Sequence, residues 1–374
     1  MTASPHSDRV LVERVRSGET EAWQELIERY EGRLLAYVSR RLASPDLAED
    51  LVQETLIGFL TSLPNYDLDR SLEGYLLSIA AHKLTDHLRR EGRRPAIPFA
   101  VSSDGEEWEP PGSARPASSL YRSRERIEQE EKVLQASLSE HLQRLRTRED
   151  WEKLKVIELL VVRGWANKYV AETLGVSEQK VANLKHEFLT KLRTAVAQGG
   201  AARIEPTDAD SPNASPASPG TKDDSSSGSA SGSSDPLERL RLDALSDEDL
   251  EGYLDEALPA EQMAVIEQRL RTEPALIKRI AEANARRDNG AHTLGAVWRR
   301  GRFTCASRLE LGNHLLGVLA PEHSDYIEFH LQVVGCRGCQ ANLEDLKQKR
   351  REAAPAQRRR KKYFESSAGF LPPR

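Results

Sequence analysis

The feature that most constrains this chain is a segment near its middle that cannot form a packed core. Residues 199–236 contain ten Ser, five Gly and five Pro, and Ile204 is their only large aliphatic residue. Such a composition buries too little apolar surface to offset the conformational entropy lost on folding. We therefore predict a disordered linker over 199–236, with folded units on both sides of it.

The folded parts are predicted to be helical, because apolar residues recur at helical spacing and strand alternation is weak. Leu47, Leu51, Phe59 and Leu63 form one such stripe, and Ser44 can cap the helix that carries it. We expect an all-α protein with the following parts: a first unit at 8–94, an acidic linker at 95–118, a second unit at 119–198, the linker at 199–236, helical modules at 237–290 and 300–346, and a basic tail at 347–374.

Composition restricts the location and the partners of the chain. No run approaches the roughly 18 apolar residues of a membrane span, and the first residues lack the apolar stretch of a signal peptide. We expect a cytoplasmic protein with no membrane partner. The formal net charge is −5, so binding to nucleic acid would require locally basic surfaces.

Residues 167–193 have the pattern of a helix-turn-helix. Ala171 allows close helix crossing, Gly175 suits a left-handed turn, and Val181 packs between the helices. A helical hairpin that serves only packing is the alternative. In the DNA-binding interpretation, the residues that face a groove or the phosphates are Gln179, Lys180, Asn183, Lys185 and His186.

The cysteines point to a metal site. An odd number of cysteines in a cytoplasmic chain argues against a disulfide framework. One histidine and three thiolates compose a closed tetrahedral zinc site, which leaves no position for a reactive water and makes a zinc enzyme an unsatisfactory alternative. His314 and His323 are competing ligands, and three unrelated buried thiols are a further alternative. The predicted ligands are Cys305, His330, Cys336 and Cys339.

The region after the linker contains an internal repeat. A shift of 61 residues pairs Leu250 with Leu311 and Ile266 with Ile327. Under this shift Arg269 stands in the place of His330. The first copy therefore looks like the same helical scaffold without its ligands.

The order of the first two units resembles a known family. The run AEDLVQETLIGFLTSLPNYD is followed by SLEGYLLSIAAHKLTDHLRREGRRP, a linker and the helix-turn-helix. Together these segments, within residues 8–198, resemble an extracytoplasmic-function sigma factor of bacterial RNA polymerase. The resemblance implies a non-enzymatic protein whose partners are core RNA polymerase and promoter DNA. It also implies that the first unit opens the minus-ten element and the second reads the minus-thirty-five element.

The resemblance assigns roles to residues of the first unit. Asp50, Gln53 and Glu54 match the polymerase-binding helix. Tyr75 and His82 stand where the family usually has Trp and Asn, and Glu187 stands where the recognition helix commonly has Arg, so the promoter preference does not transfer. The residues of the first unit that the resemblance assigns to DNA binding are Asn65, Tyr66, Tyr75, His82, Lys83, Arg89 and Arg90.

The cysteine-containing segment resembles the zinc-binding anti-sigma domain, whose pattern is His-x3-Cys-x2-Cys. Here five residues separate His330 from Cys336. The resemblance implies a bound zinc ion and regulation in cis, with the carboxy-terminal domain or a separate regulator as a partner. The alternative function is a helix-turn-helix regulator that does not recruit polymerase, which leaves the first-unit segments unexplained.

Overall fold

The computed structural model describes residues 5–68, 70–94, 117–201, 240, 245–288, 292–349 and 354–372. All regular structure within these ranges is helical, which confirms the predicted all-α class. Apart from residues 117, 118 and 199–201, which are helical, the two predicted linkers lie outside the described residues. No helix in the described ranges combines the length and the apolar character that spanning a bilayer requires.

The first unit is a four-helix bundle with its own core. Ser44 caps its third helix by accepting a hydrogen bond from the Leu47 amide, as predicted, and the leucine-rich stripe of that helix is buried around Phe59. Ser71 caps the fourth helix in the same way. The helices are α1 (Pro5–Arg16), α2 (Thr20–Ser39), α3 (Pro45–Ser62) and α4 (Leu72–Arg90), with a 3-10 turn at Leu63–Asn65.

The second unit ends in the helix-turn-helix. Gly175 has φ 66° and ψ 31°, the left-handed conformation expected of the turn. Val181 is fully buried and Ala171 nearly so, and both belong to a core that includes Trp165 and Phe188. The helices are α5 (Ala117–Thr147), α6 (Trp151–Val161), α7 (Asn167–Leu174) and α8 (Glu178–Ala201).

The carboxy-terminal region repeats one helical arrangement. Two capping boxes, at Ser246 and Ser307, open corresponding helices 61 residues apart. The next helices, at Ala260 and Pro321, keep this offset. The first copy comprises α9 (Asp247–Leu254), α10 (Ala260–Thr272) and α11 (Pro274–Asp288), and the second comprises α13 (Arg308–Leu316), α14 (Pro321–Gln332) and α15 (Arg337–Lys349).

Two helices of this region fall outside the predicted helical modules, apart from residues 300 and 301. Helix α12 (Leu294–Gly301) lies between the predicted modules, and Trp298 joins it to the core of the second unit. Helix α16 (Ala354–Ser367), followed by a 3-10 turn at Ala368–Phe370, lies in the predicted basic tail. Its Tyr363 is fully buried in the core of the first unit. The tail was predicted from its many basic residues, so the buried position of Tyr363 was not predicted.

The second copy of the repeat packs against both amino-terminal units. Helix α15 lies along α2, and α14 lies along α6. Ala341 joins the core of the first unit, while Tyr326 and Phe329 join the core of the second. The carboxy-terminal region is thus an integral part of one folded assembly.

Candidate polymerase, DNA and metal sites

The five predicted DNA-binding residues of α8 are all exposed. Ser177 begins this helix by accepting a hydrogen bond from the Lys180 amide at 3.2 Å. The Gln179 side-chain amide donates to the Asn183 side-chain oxygen at 2.9 Å. This surface carries amide and cationic donors suited to base edges and phosphates.

The candidate DNA-binding residues of the first unit differ in their accessibility. Tyr66 is only 5% exposed, and its hydroxyl donates to the Arg70 carbonyl at 2.6 Å. Tyr75 is half-buried, with its ring centroid 4.8 Å from that of Tyr66. Lys83 is half-buried and lies 3.5 Å from a Glu54 carboxylate oxygen. The residues that are exposed are Asn65, His82, Arg89 and Arg90.

The candidate polymerase-binding residues lie on one face of α3. Asp50 and Glu54 are exposed, and Gln53 is half-buried. The Lys362 ammonium of α16 lies 3.4 Å from an Asp50 carboxylate oxygen. The basic carboxy-terminal helix therefore reaches the acidic stripe that the sequence assigns to polymerase.

Helix α16 is fixed by buried contacts as well as by charge. The Trp23 indole donates to the Ser367 hydroxyl at 2.8 Å. Arg359 lies 2.9 Å from a carboxylate oxygen of Glu31, which is itself only 1% exposed. Together with the buried Tyr363, these contacts hold α16 across α2 and α3.

A second carboxylate joins three parts of the chain. Glu256 is fully buried and contacts Arg41 and Arg94 of the first unit and Arg337 of α15. Arg94 also donates to the Tyr253 carbonyl at 2.8 Å. We name this group the Glu256 clasp. The clasp buries Arg94, which is the last arginine of the basic segment that follows α4.

The four predicted metal ligands are brought together. One ligand atom from each of Cys305, His330, Cys336 and Cys339 lies within 4.8 Å of the others. The Cys305 and Cys336 sulfurs are 3.7 Å apart, close to the roughly 3.8 Å between two sulfurs each about 2.3 Å from a tetrahedral zinc ion. The group could hold a metal ion.

The imidazole of His330 is oriented as a ligand would be. Its Nδ1 is engaged by Glu158 of α6, while its buried Nε2 has no hydrogen-bond partner. The competing histidines are occupied elsewhere, since His314 hydrogen bonds to Ser324 at 2.8 Å and His323 stacks on Trp151.

Electrostatics within the cluster favour a thiolate. Hydrogen bonds with Cys305 and Cys339, together with the His330 imidazole, hold the pKa of the Cys336 thiol well below its ordinary value. Burial opposes the charge on His330, but the Glu158 carboxylate and Cys336 outweigh it and raise its pKa. A lowered thiol pKa favours the deprotonated sulfur, which is the form that binds a metal ion.

Sequence reasoning missed the roles of two buried carboxylates, Glu158 and Glu256. Glu158 stands within the apolar run VIELLVV, where a charged residue at a core position was an available signal. Glu256 had no comparable signal, because its arginine partners lie more than 150 residues before it or 81 residues after it.

The chain matches known proteins over its amino-terminal part. Residues 26–94 match the Sigma-70 region 2 family model. The chain is 32% identical over 112 residues to the ECF RNA polymerase sigma-E factor of Salmonella typhimurium, which is 30% of this chain and 58% of that protein. The sigma-E factor of Escherichia coli K12 gives the same identity and coverage.

A longer match is to the RNA polymerase sigma-H factor of Pseudomonas aeruginosa, at 29% identity over 157 residues, or 41% of this chain and 81% of that one. The chain thus spans 58% of the length of the sigma-E relatives. The family match lies within the first unit. The first unit of the chain thus matches Sigma-70 region 2, and the chain is similar to extracytoplasmic-function sigma factors of the sigma-70 family.

Proposed function

We propose that the chain is a sigma factor that binds core RNA polymerase through α3 and recognises promoter DNA through α4 and α8. The observation that carries this proposal is a region 2 unit with an exposed acidic stripe, followed by a helix-turn-helix with an exposed recognition face. A regulator that binds DNA without polymerase would need the helix-turn-helix alone.

Binding to core polymerase tests the first part of the proposal. The double variant Asp50→Ala, Glu54→Ala is expected to weaken binding, because two charges leave a surface that would face a basic partner. The control is Glu261→Ala with Glu282→Ala, which changes net charge equally at exposed positions of the carboxy-terminal region. Unchanged affinity in the first pair, or equal loss in both pairs, contradicts the assignment.

We infer further that the carboxy-terminal region regulates this activity in cis by inhibiting it. Three contacts support inhibition: Lys362 lies at Asp50, the Glu256 clasp buries Arg94, and α14 and α15 are packed against both units. A chain held in this way has Asp50 of its proposed polymerase surface, and Arg94 beside its proposed DNA surface, engaged by its own residues.

In vitro transcription with core polymerase tests this regulation. The comparison is between the full chain, a chain ending at residue 353, and the full chain carrying Lys362→Glu with Arg359→Glu. The last variant reverses the charge of α16 where it meets Asp50 and Glu31. Both altered chains are expected to transcribe more than the full chain, and equal or lower transcription from both contradicts inhibition.

We also propose zinc as the ion held by Cys305, His330, Cys336 and Cys339. Three thiolates and one imidazole are soft and borderline donors in a closed set, which suits structural zinc. Bound zinc would supply a cross-link between α14, α15 and the segment before α13. Stoichiometric zinc in reduced protein supports the proposal, and its absence contradicts it.

A further inference from the structure

We propose that Glu158, in the helix-turn-helix unit, is the positioning residue for His330, so that metal binding and the docking of α6 strengthen each other. The inference rests on the proposed metal site. It extends that site to a residue of another unit.

The contacts of Glu158 converge from the carboxy-terminal region. The side chain is 1% exposed, and its Oε1 accepts hydrogen bonds from His330 Nδ1 at 2.8 Å and from the Thr304 hydroxyl at 2.6 Å. Its Oε2 accepts from the Tyr326 hydroxyl at 2.9 Å. All three donors lie beyond the linker, whereas Glu158 lies before it.

The hydrogen bond to His330 determines which nitrogen can bind the ion. In the neutral imidazole, which is the form that binds a metal ion, Nδ1–H donated to Glu158 leaves the free lone pair on Nε2, and Nε2 is the buried atom that lacks a partner. A carboxylate in this position fixes the tautomer and the ring orientation and makes the imidazole a stronger ligand. Loss of such a partner typically weakens metal binding about 10–100-fold.

The same geometry links the ion to the interface. If docking of α6 raises the affinity for the ion by a given factor, the ion must raise the affinity of docking by that factor. Because Glu158 belongs to the second unit, metal binding at this site stabilises the packing of the carboxy-terminal region on that unit.

The test measures metal binding by the full chain. Glu158→Gln is compared with the unaltered chain and with Tyr326→Phe, which removes a hydrogen bond to the other oxygen of the same carboxylate. Zinc affinity is measured by competition with a chromophoric chelator, and cobalt(II) absorption reports the ligand field. We expect Glu158→Gln to bind zinc about 10-fold or more weakly with a shifted cobalt spectrum, and Tyr326→Phe to stay within about twofold with an unchanged spectrum.

Equal zinc affinity and cobalt spectra for Glu158→Gln and the unaltered chain overturn the inference, as does an equal loss in Tyr326→Phe. If circular dichroism shows that Glu158→Gln is unfolded, Glu158→Asp replaces it, because the shorter side chain keeps the charge and loses the reach. An unaltered chain that binds neither metal instead overturns the proposed metal site, and this inference with it.

Discussion

Neighbouring arginines at the end of α4 have different environments, and this difference sets what each can do. Arg89 and Arg90 are exposed, while Arg94 is 2% exposed and held in the Glu256 clasp. Only the first two can meet DNA phosphates without opening the assembly. Their contribution can therefore be separated from that of the clasp.

Replacing Arg89 and Arg90 with alanine is expected to reduce open-complex formation on promoter DNA. Each lost phosphate contact should lower the slope of log affinity against log salt by about 0.7–0.9, because fewer counterions are released. The measurement is a salt titration with core polymerase, and Arg148→Ala with Lys278→Ala is the charge-matched control. A slope that does not change places these arginines away from DNA.

Glu187 shows how a departure from the family pattern is accommodated. Its carboxylate accepts hydrogen bonds from Lys153 at 2.8 Å and Lys191 at 2.5 Å, and these bonds lower its pKa to about 2. The folded pKa is below the unfolded one, so the stabilisation is present above the unfolded pKa and is lost as pH falls towards the folded pKa.

Glu187→Gln is therefore expected to lower the thermal midpoint of the full chain near neutral pH and to have less effect near pH 4. The effect should be under about 1 kcal/mol, because the carboxylate is 42% exposed and solvent screens its partners. Glu178→Gln, an exposed change on the same helix, is the control. A difference that grows on acidification contradicts the assignment of these partners.

At the scale of single residues, the sequence predicted features whose causes are local. Ser44 and Gly175 act within four residues of their own positions, so the pattern around each was sufficient. The metal ligands were predictable because their chemistry is specific. The partners of those ligands were not, because His330 and Glu158 are 172 residues apart in the chain.

Helix α12 makes a close approach to the end of α6. Gly295 stands at this contact, and a Cβ atom there would lie 2.4 Å from the Val161 carbonyl oxygen and 2.2 Å from a Glu248 carboxylate oxygen. A backbone carbonyl has little freedom to move away. Glycine is therefore required for this approach of α12 to the second unit.

Gly295→Ala is expected to destabilise the chain by about 1–3 kcal/mol through overpacking and to loosen α12 from α6. Hydrogen exchange of the α6 and α12 amides, with the thermal midpoint, measures both effects. Gly312→Ala is the control, because no atom lies within 4 Å of a Cβ built at that helical position. Equal behaviour of the two variants contradicts a close packing role for Gly295.

At the scale of elements, helix type and the 61-residue repeat were visible in the periodicity, since both depend on local spacing. Helix α16 was not predicted, because the sequence Arg-Arg-Arg-Lys-Lys dominates its composition. Its docking depends on Tyr363 and Ser367, whose value as anchors arises only from contact with the first unit.

In the whole molecule, the second copy of the repeat packs against both the first and the second unit. We expect chelation of the proposed zinc to lower the thermal midpoint and to speed hydrogen exchange in α2 and α6, the helices against which α15 and α14 pack. In small zinc domains, metal binding supplies on the order of 10 kcal/mol of folding free energy. Here we expect part of the structure to remain after chelation, because the module also packs on the cores of two units.

Mass spectrometry of exchanged peptides before and after chelation and zinc re-addition tests this expectation. Peptides from α1, which packs on α2, serve as the internal reference. Hydrogen-exchange rates in α2 and α6 that do not change on chelation or on zinc re-addition contradict a structural link between the site and the docked units.

At the scale of the whole molecule, the sequence predicted separate units but not how they pack against one another. The tertiary contacts that decide the arrangement, such as the Glu256 clasp, join charged residues that a linear pattern assigns to solvated helix faces. Their burial exists only after three parts of the chain have met, so no local pattern encodes it.

The packing of both units on a module of their own chain has a consequence for timing. A tethered module faces its target at a fixed effective concentration, of millimolar order for short flexible tethers, and its ratio to that target is always one to one. If the module restrains the two units as proposed, making more of the protein does not alter the balance between restraint and activity. In a chain regulated in this way, each time the carboxy-terminal module dissociates from the two units, it can either reassociate with them or be replaced by polymerase. The concentration of free polymerase determines how often polymerase binds first.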